Sequence, residues 1–379
     1  MTGPLQGVVV TELAGLGPAP FCGMVLADLG AKVIRVDRPR GAGVPIGSAG
    51  SDVMNRGKQS VSVDLKSPEG AGVVLRLVEG SDALIEGFRP GVAERLGVGP
   101  AECLARNPSV VYGRMTGWGQ TGPMAAMAGH DIDYIALSGA LHSIGPPERP
   151  IPPLNLVGDF GGGGMLLALG LLAAIVHARS SGEGQVVDAA MVDGSALLMA
   201  SHHGFLADGW WAPERASNLL DGAAPFYTTY ETSDGGHVAV GALEPRFFAA
   251  LVDGLGLSAE DVGAQNDRER WPEVRALFAA RFKTRTRDEW AAHFDRTDAC
   301  VAPVLSMSEA PDHPHNADRG GFIEVEGVCQ PAPAPRFSKT SAGVERGPPA
   351  PGADTDTVLS AAGFSDEEIG RLRESGAIL

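Results

Sequence analysis

Short apolar runs alternate with helical patterns over the first third of the chain. The runs are rich in β-branched residues, and the segments between them repeat apolar positions at the spacing of an amphipathic helix. Strands are predicted at residues 7–13, 32–36, 60–65, 82–88 and 110–115, with a helix at 21–29. Strands separated by helices of this length indicate a parallel sheet with right-handed crossovers. The pattern therefore predicts an α/β fold.

A Rossmann-like sheet of this kind often binds a dinucleotide through a glycine-rich turn after its first strand. Here that turn is AGLGPAPF at residues 14–21, where prolines and a missing third glycine break the G-x-G-x-x-G fingerprint. Asp37 directly follows the second predicted strand, but Arg38, Pro39 and Arg40 come after it, which is the wrong context for a ribose-binding acid. A nicotinamide cofactor is therefore not predicted.

The longest apolar stretch of the chain covers residues 160–176. It falls just short of the roughly 18 to 20 apolar residues that a membrane span needs. It also contains five glycines and directly follows Asp159. A closely packed helix at 161–178, buried in the core of a protein without a membrane segment, is the favoured interpretation.

A β-hairpin is predicted further along the chain. Alternating residues at 226–232 and 237–243 flank the turn Ser233–Gly236, a typical hairpin signal. Helices are expected at 247–254, 271–282 and 288–294, and Thr286 with Glu289 forms a capping box before the last of them. The hairpin and its helices predict a small second domain.

The charge and cysteine content exclude several classes of protein. With 30 basic and 46 acidic residues the net charge is −16, which repels a phosphate backbone, so no nucleic acid partner is expected. The four cysteines are far apart and lack metal-ligand spacing, so neither a zinc site nor a disulfide framework is predicted. The N-terminus also lacks the basic start and apolar run of a signal peptide. We expect a cytoplasmic protein.

Seven ordered stretches resemble one family over nearly the whole chain. They are LADLGAKVIRVDRP (26–39), SVDLKSPEG (62–70), LIEGFRPGVAERLG (84–97), GRMTGWGQTGP (113–123), GHDIDYIALSG (129–139), NLVGDFGGGG (155–164) and GQVVDAAMVDG (184–194). These segments are similar to the family III CoA-transferase superfamily, and within it to the α-methylacyl-CoA racemase branch.

The resemblance implies both an architecture and a reaction. It implies a large α/β domain built from residues 1–190 and 320–379, a linker helix at 191–225 and a small α+β domain at 226–319. It further implies an interlocked homodimer that acts on an acyl-CoA thioester without a metal or organic cofactor, coenzyme A being part of the substrate. The reaction is interconversion of (2R)- and (2S)-2-methylacyl-CoA.

Racemisation beside a thioester carbonyl needs acid/base groups on two faces of the reacting carbon. His130, in the motif GHD-x-x-Y, is the first candidate. A lone histidine is more often structural, but imidazole exchanges protons near neutrality and the resemblance favours a catalytic role. Asp159 is the second, and we also expect it to cap the helix that follows. The amides of residues 159–161, including Gly161, are proposed to bind the enolate oxygen.

Three further residues are assigned through the resemblance. Glu244, at the end of the second hairpin strand, matches a glutamate that supports the histidine and contacts the asparagine matching Asn155. A carboxylate can orient an imidazole and raise its basicity. Tyr134 is expected to help in positioning the site.

The phosphates of coenzyme A require cations despite the acidic net charge. Arg38 and Arg89 each follow a predicted strand, at the carboxyl edge where open parallel sheets bind ligands. Both positions match CoA-contacting arginines of the family. Arg56, Lys58 and Arg95 are further candidates, for which a solvated surface position is the alternative.

Two other functions compete with racemisation. In CoA-transferases of the same superfamily, the aspartate that matches Asp159 attacks the thioester as a nucleophile. The GHD motif around His130 and the presence of Glu244 favour the racemase. A non-catalytic acyl-CoA-binding protein is the other alternative, and it would have no need to retain His130, Asp159 and Glu244 together.

Overall fold

The computed structural model of the protein describes residues 3–39 and 49–379, so part of the Gly/Pro-rich segment after the second strand lies outside it. The chain divides into two units. The first comprises Met1–Ser138, Leu154–Leu198 and Asp318–Leu379, and the second comprises Gly139–Pro153 and Met199–Ala317. Both chain ends thus belong to one unit, whereas the segment 139–153 joins the other unit, which the sequence did not predict.

The first unit alternates strands and helices as far as residue 198. Its elements are β1 (Val9–Leu13), α1 (Pro18–Asp28), β2 (Lys32–Asp37), β3 (Gln59–Ser62), α2 (Gly70–Glu79), β4 (Ala83–Glu86), α3 (Val92–Arg95), α4 (Pro100–Arg106), β5 (Val111–Thr116), α5 (Asp131–Leu137), a π-helix (Leu156–Met165), α6 (Leu166–Ser181), β6 (Val186–Ala190) and α7 (Met191–Leu198). The predicted strands and the helix at 21–29 are therefore present, with ends shifted by a few residues.

Six strands form one parallel sheet in the order β3-β2-β1-β4-β5-β6. Val10 of β1 pairs with Val33 of β2 on one side and with Ala83 of β4 on the other. The strand order therefore reverses between β1 and β4. In open α/β sheets, ligands bind in the crevice beyond the carboxyl ends of the strands at such a switch point. The fold itself thus directs attention to the loops after β1 and β4.

Helices cover both faces of this sheet. Leu167, Leu171 and Ile175 of α6 are buried with α1 in one apolar cluster, and the opposite face packs against α2, with Val73 and Leu77, in a second cluster. Leu156–Ser181 is the stretch of the described residues that could cross a membrane by length and composition. Because one side of α6 packs on the sheet, the segment is typical of a core helix.

The linker helix predicted at 191–225 is two shorter helices. α7 packs against the π-helix so closely that a methyl group on Gly194 would lie 1.8 Å from the carbonyl oxygen of Gly162. This glycine contact places α7 in the first unit. The next helix, α8 (Ala200–Ala207), follows Met199 and belongs to the second unit.

The second unit is a small α+β domain. Its further elements are β7 (Tyr227–Glu231), β8 (His237–Gly241), α9 (Pro245–Gly254), α10 (Ala259–Val262), α11 (Trp271–Phe282), α12 (Arg287–Phe294), β9 (Val301–Pro303) and α13 (Pro314–Asp318), whose last residue returns to the first unit. β7 and β8 pair as the predicted antiparallel hairpin, and β9 adds a third strand. Thr286 and Glu289 form the predicted capping box.

The C-terminal segment completes the first unit. It contains the hairpin β10 (Phe322–Val325) and β11 (Val328–Pro331), followed by α14 (Thr355–Ala361) and α15 (Asp366–Glu374). A bridge between Val63 and Ile378 and a hydrogen bond from the Ser60 amide to Asp354 Oδ2 (2.9 Å) attach this segment beside β3. The edge strand of the sheet is therefore covered by the chain's own C-terminus, which protects it from pairing with other strands.

Candidate active site

The loop after β1 leads directly to the side chain of Asp159. Gly17, the residue before α1, has φ +67°, a conformation that glycine adopts without strain. A methyl group on Gly17 would lie 3.4 Å from Asp159 Oδ2. The carboxylate of Asp159 therefore lies at the switch point of the sheet, beside the N-terminus of α1.

Asp159 lies inside a helix instead of capping one, which corrects the sequence prediction. The π-helix begins at Leu156, and Asn155 is the residue that precedes it. The Asn155 amide Nδ2 donates a hydrogen bond to Asp159 Oδ2 (3.1 Å). Asn155, which the resemblance implied as a contact of Glu244, thus orients the candidate acid Asp159. Single π-helical turns within α-helices occur frequently at functional sites.

A second carboxylate, Asp131, holds the backbone of this helix. Asp131 Oδ2 accepts a hydrogen bond from the Asp159 amide at 2.7 Å, and only 7% of Asp131 is exposed. A methyl group on Gly158 would lie 2.5 Å from that same oxygen, so glycine is required at this contact. The other oxygen, Oδ1, is buried and accepts no hydrogen bond from the described residues. Asp131 therefore places a negative charge next to Asp159.

The surroundings of Asp159 favour its protonated form. Partial burial raises the pKa of this carboxyl above its ordinary value, and the nearby Asp131 raises it further. The hydrogen bond from Asn155 and the charge of His130 act in the opposite direction. Asp159 can thus carry a proton more readily than an exposed aspartate.

His130 lies at the start of α5, as the residue preceding its first turn. Its backbone N–H donates to Asp133 Oδ2 at 2.9 Å, which holds the main chain at the helix entrance. The side chain is exposed, so the imidazole can reach a ligand. Because its charge acts on Asp159, the structure brings together the two residues that the sequence selected as acid and base.

Tyr134 contacts the backbone next to His130. Its hydroxyl donates to the backbone carbonyl of Gly129, directly before His130, and its ring meets Trp118 edge-on at 4.7 Å between centroids. Burial and the charge of Asp159 raise the pKa of Tyr134 to about 12, whereas Arg89 acts in the opposite direction. Tyr134 is therefore a buried phenol that contacts the loop carrying His130.

The glycine run after Asp159 serves helix packing. Methyl groups on Gly162 and Gly164 would lie 2.6 Å from the Ser195 amide of α7 and 2.7 Å from the Pro18 carbonyl of α1. The neighbouring helices therefore prevent close approach of a ligand to Gly162 and Gly164. Only Gly161 of the run is half-buried.

Few of the amides proposed to bind the enolate oxygen, at residues 159–161, are free to donate a hydrogen bond. The Asp159 amide is already bonded to Asp131. In a π-helix, hydrogen bonds join residues five apart, so free N–H groups are expected in the first turn only, and Gly161 lies beyond it. The first turn of the π-helix, at 156–160, is the remaining source of donors.

The five candidate cations fall into two groups. Arg38, Arg89 and Arg95 are exposed, and none of them forms an ion pair within residues 3–39 and 49–379. Arg38 follows β2 and Arg89 lies in the loop after β4, so both are at the carboxyl edge of the sheet. They are available to bind phosphate groups.

The other two candidates are buried and already bonded. The Lys58 ammonium binds Glu12 Oε1 and Oε2 (3.0 and 2.7 Å), Asn55 Oδ1 (3.0 Å) and the Pro20 carbonyl (2.9 Å). Arg56 forms a two-pronged pair with Asp28 (3.1 and 2.6 Å) and also donates to Gln330 and Pro331. In this conformation neither presents its charge to a ligand, so their predicted contact with coenzyme A has no support in the geometry.

Glu244 belongs to the second unit, where it precedes the first turn of α9 and is exposed. Its charge acts on Cys300, whose pKa is raised by burial and by the charges of Glu244 and Asp298. The predicted contact of Glu244 with His130 and Asn155 stays a prediction. Across residues 3–39 and 49–379, no three His, Cys, Asp or Glu side chains gather as a metal site would require.

Comparison with known proteins decides the family. The model of CoA-transferase family III matches residues 5–355. The chain belongs to this family. Its α/β fold is confirmed by two crystal structures: a CAIB/BAIF family protein from Brucella suis (TM-score 0.82, 28% identity, 96% of this chain and 100% of that one) and Rv3272 from M. tuberculosis (0.77, 28%, 94% and 99%).

Curated relatives in the family include two racemases. The chain is 48% identical to the alpha-methylacyl-CoA racemase of Mus musculus over 97% of this chain and 96% of that protein. It is 46% identical to the alpha-methylacyl-CoA racemase of Homo sapiens over 99% and 97%. The succinyl-CoA–D-citramalate CoA-transferase of Chloroflexus aurantiacus is 32% identical over 99% and 98%.

Within this family III chain, sequence reasoning overlooked Asp131. The residue stands between the glycine-histidine pair and Tyr134 in GHDIDY, so a signal was present. A carboxylate at the start of a helix is ordinarily explained by the helix dipole. Only the hydrogen bond across 28 residues, to the amide of Asp159, shows that Asp131 joins the two halves of the site.

Proposed function

We propose that this family III protein is a racemase of 2-methyl-branched acyl-CoA thioesters. The observation that carries the proposal is that Asp131, the residue after His130, accepts a hydrogen bond from the Asp159 amide and so brings His130 and Asp159 together near the switch point of the sheet. The similarity to two racemases over nearly the full length of the chain supports it. An exposed imidazole beside a carboxyl whose pKa is raised by burial supplies one candidate proton acceptor and one candidate proton donor.

The reaction requires both groups in different protonation states. One removes the proton from the carbon beside the thioester carbonyl, which leaves an enolate, and the other returns a proton to the opposite face. The raised pKa of Asp159 suits the donor, and Asn155 and Asp131 fix its carboxyl and its backbone. The first turn of the π-helix places its positive end near the developing negative charge. Glu244 is proposed to support His130, and no metal or organic cofactor is required.

Solvent deuterium exchange tests this reaction. The protein is incubated in deuterated water with (2S)-2-methylacyl-CoA and no acceptor acid, and the label at the α-carbon is followed by mass spectrometry together with optical purity. We expect deuterium uptake in step with loss of optical purity. Absence of exchange, with CoA transfer once a carboxylate is added, would reject the racemase.

CoA transfer with Asp159 as nucleophile is the second candidate. The 32% identity to a succinyl-CoA–D-citramalate CoA-transferase over nearly the whole chain supports it. A nucleophilic carboxylate must be ionised, whereas burial and the nearby Asp131 raise the pKa of Asp159. The exposed His130 beside it has no required part in that reaction. Both points favour racemisation.

The assembly and location are also proposed. The exposed side chains of Met165, at the end of the π-helix, and of Leu169 and Val176 on α6 (49, 65 and 70% exposed) follow one another at spacings of four and seven residues and lie on one apolar face. Such a face fits a second copy of the chain, and we propose a homodimer, testable by analytical ultracentrifugation. Cys22, Cys103, Cys300 and Cys329 are all free thiols, which supports a reducing, cytoplasmic location.

A further inference from the structure

The loop that carries Arg89 is attached at both ends to one buried cation. The loop covers residues 87–91, between the end of β4 and the start of α3. Glu86 is the last residue of β4, Glu94 lies in α3, and Arg114 of the neighbouring strand β5 contacts both. We call these three residues the Arg114 clamp.

At the strand end of the clamp, both carboxylate oxygens of Glu86 accept a hydrogen bond. Glu86 Oε1 accepts from Arg114 Nε at 2.9 Å, and Glu86 Oε2 accepts from the backbone N–H of Phe88 at 2.6 Å. One carboxylate thus joins the buried guanidinium to the loop itself. Glu86 has no exposed surface, and 8% of the Arg114 side chain is exposed.

The helix side of the clamp uses the remaining nitrogens of Arg114. Nη1 and Nη2 donate to the two oxygens of Glu94 at 2.8 and 3.3 Å. A planar guanidinium that binds carboxylates at three nitrogens leaves little freedom to either partner. The two ends of the loop are therefore held at a fixed separation.

Burying the charged pair of Glu86 and Arg114 is a costly way to stabilise a fold. Apolar side chains of similar volume often give equal or greater stability, because a buried ion pair must repay the loss of hydration. This loss of hydration is explained if binding requires a fixed geometry of the loop at residues 87–91. What the loop presents is Arg89, exposed, without an ion pair in the described residues, and near enough to Tyr134 for its charge to act on that phenol.

We propose that Arg114, together with Glu86 and Glu94, is a positioning residue that holds Arg89 in place for the phosphates of the acyl-CoA substrate. The proposal rests on the proposed function only in taking Arg89 as a contact of coenzyme A. Arg114 itself touches no substrate. Its contribution to binding passes through Arg89.

A double-mutant cycle separates this role from a general structural one. The dissociation constant of coenzyme A is measured by calorimetry for the wild type, Arg89→Ala, Arg114→Met and the double variant. We expect Arg89→Ala to weaken binding about tenfold, the usual order for a charge-assisted contact. Arg114→Met should weaken it about threefold to tenfold, and in the Arg89→Ala background it should have almost no further effect.

Kinetics give a second readout. In the exchange assay, Arg114→Met should raise KM while kcat changes by less than about twofold, since the acid and base are not touched. Full multiplication of the two single effects in the double variant would overturn the proposal. So would wild-type affinity in either single variant.

Controls keep the outcome interpretable. Arg106→Met removes an exposed ion pair with Glu79 in the same unit, and it should leave both affinity and KM unchanged. If Arg114→Met fails to fold in a thermal scan, Glu94→Gln at the exposed end of the clamp enters the same cycle and decides it. If the wild type binds coenzyme A but shows no exchange, the proposed function fails, whereas the calorimetric cycle still decides the role of Arg114.

Discussion

Two groups of charged side chains in the first unit differ in how far their hydrogen bonds are satisfied. The Lys58 ammonium has three N–H groups and four oxygen acceptors within 3.0 Å, and neither it nor Glu12 has exposed surface. At the candidate active site, the Asp159 carboxyl is half-buried and receives one side-chain hydrogen bond, from Asn155.

This difference indicates which charged side chains can take part in proton transfer. At Lys58, burial lowers the pKa of the ammonium and raises that of Glu12, whereas their mutual attraction and hydrogen bonds oppose both shifts. Every N–H of the ammonium is bonded to Glu12, Asn55 or Pro20, so Lys58 is structural. Asp159 has no buried counter-ion of this kind, and its pKa is raised by burial and by Asp131. A charge that is fully bonded holds the fold, whereas one that is incompletely bonded can exchange a proton.

The largest expected effect is on catalysis. His130→Ala should lower the rate of α-deuterium exchange by roughly 10²- to 10⁴-fold, the range for loss of a general acid or base. Its melting temperature should stay close to that of the wild type, because the side chain is exposed. His177→Ala, on an exposed position of α6, is the matched control. Exchange at the wild-type rate in His130→Ala would remove the basis of the mechanism.

The second-largest expected effect is on stability and concerns the buried ion pair of Lys58 and Glu12. Lys58→Met should reduce the free energy of unfolding by about 3–5 kcal/mol, because it leaves the buried Glu12 without its counter-charge. Denaturant unfolding gives the value, and the double variant with Glu12→Gln should recover part of it. A stable Lys58→Met that binds coenzyme A tenfold more weakly would instead make Lys58 a ligand, as the sequence suggested.

The smallest effect is a pH dependence at Glu86. Burial raises the pKa of Glu86 from 4.5 to about 6, against the opposing effects of its hydrogen bonds to Phe88 and Arg114. The folded protein therefore holds this proton more tightly than the unfolded chain. The resulting stabilisation is complete below pH 4.5 and is lost as the pH rises through about 6.

Comparison of the wild type with Glu86→Gln isolates the pH-dependent contribution of Glu86 to the free energy of unfolding. Between pH 4.5 and 7, the unfolding free energy of the wild type should fall relative to that of Glu86→Gln by up to about 2 kcal/mol. Denaturant titrations at four pH values measure the difference. A constant difference would mean that Phe88 and Arg114 fully compensate the burial of Glu86, so that its pKa is the same in the folded and unfolded protein.

Much of the fold followed from local patterns. Strands β1 to β5 of the parallel sheet, the hairpin of the second unit and the capping box at Thr286 were predicted within a few residues, because side-chain periodicity and capping act over short distances. The π-helix was not predicted, since a glycine run carries no side-chain periodicity. The close contacts of Gly162 and Gly164 with α7 and α1 involve residues distant in sequence.

The candidate site, like the fold, was predicted from the sequence only in part. The motif resemblance selected His130, Asp159 and Asn155, and the structure places them in one unit with interacting charges or hydrogen bonds. The number of free cations was overestimated. Arg56 is bonded to Asp28 and to Gln330, which is 274 residues away, and no local pattern could indicate such partners.

The sequence by itself determined the residue types and their order: the acid/base pair, the alternating elements and the arginines that follow strands. The tertiary structure decided which of those charges remain available. Whether a side chain reacts, binds or merely stabilises depends on its burial and on its hydrogen-bond partners, and these come from elements far apart in the chain. Asp131, bonded across 28 residues to the backbone of Asp159, and Arg114, bonded to both ends of the Arg89 loop, acquire their roles in this way.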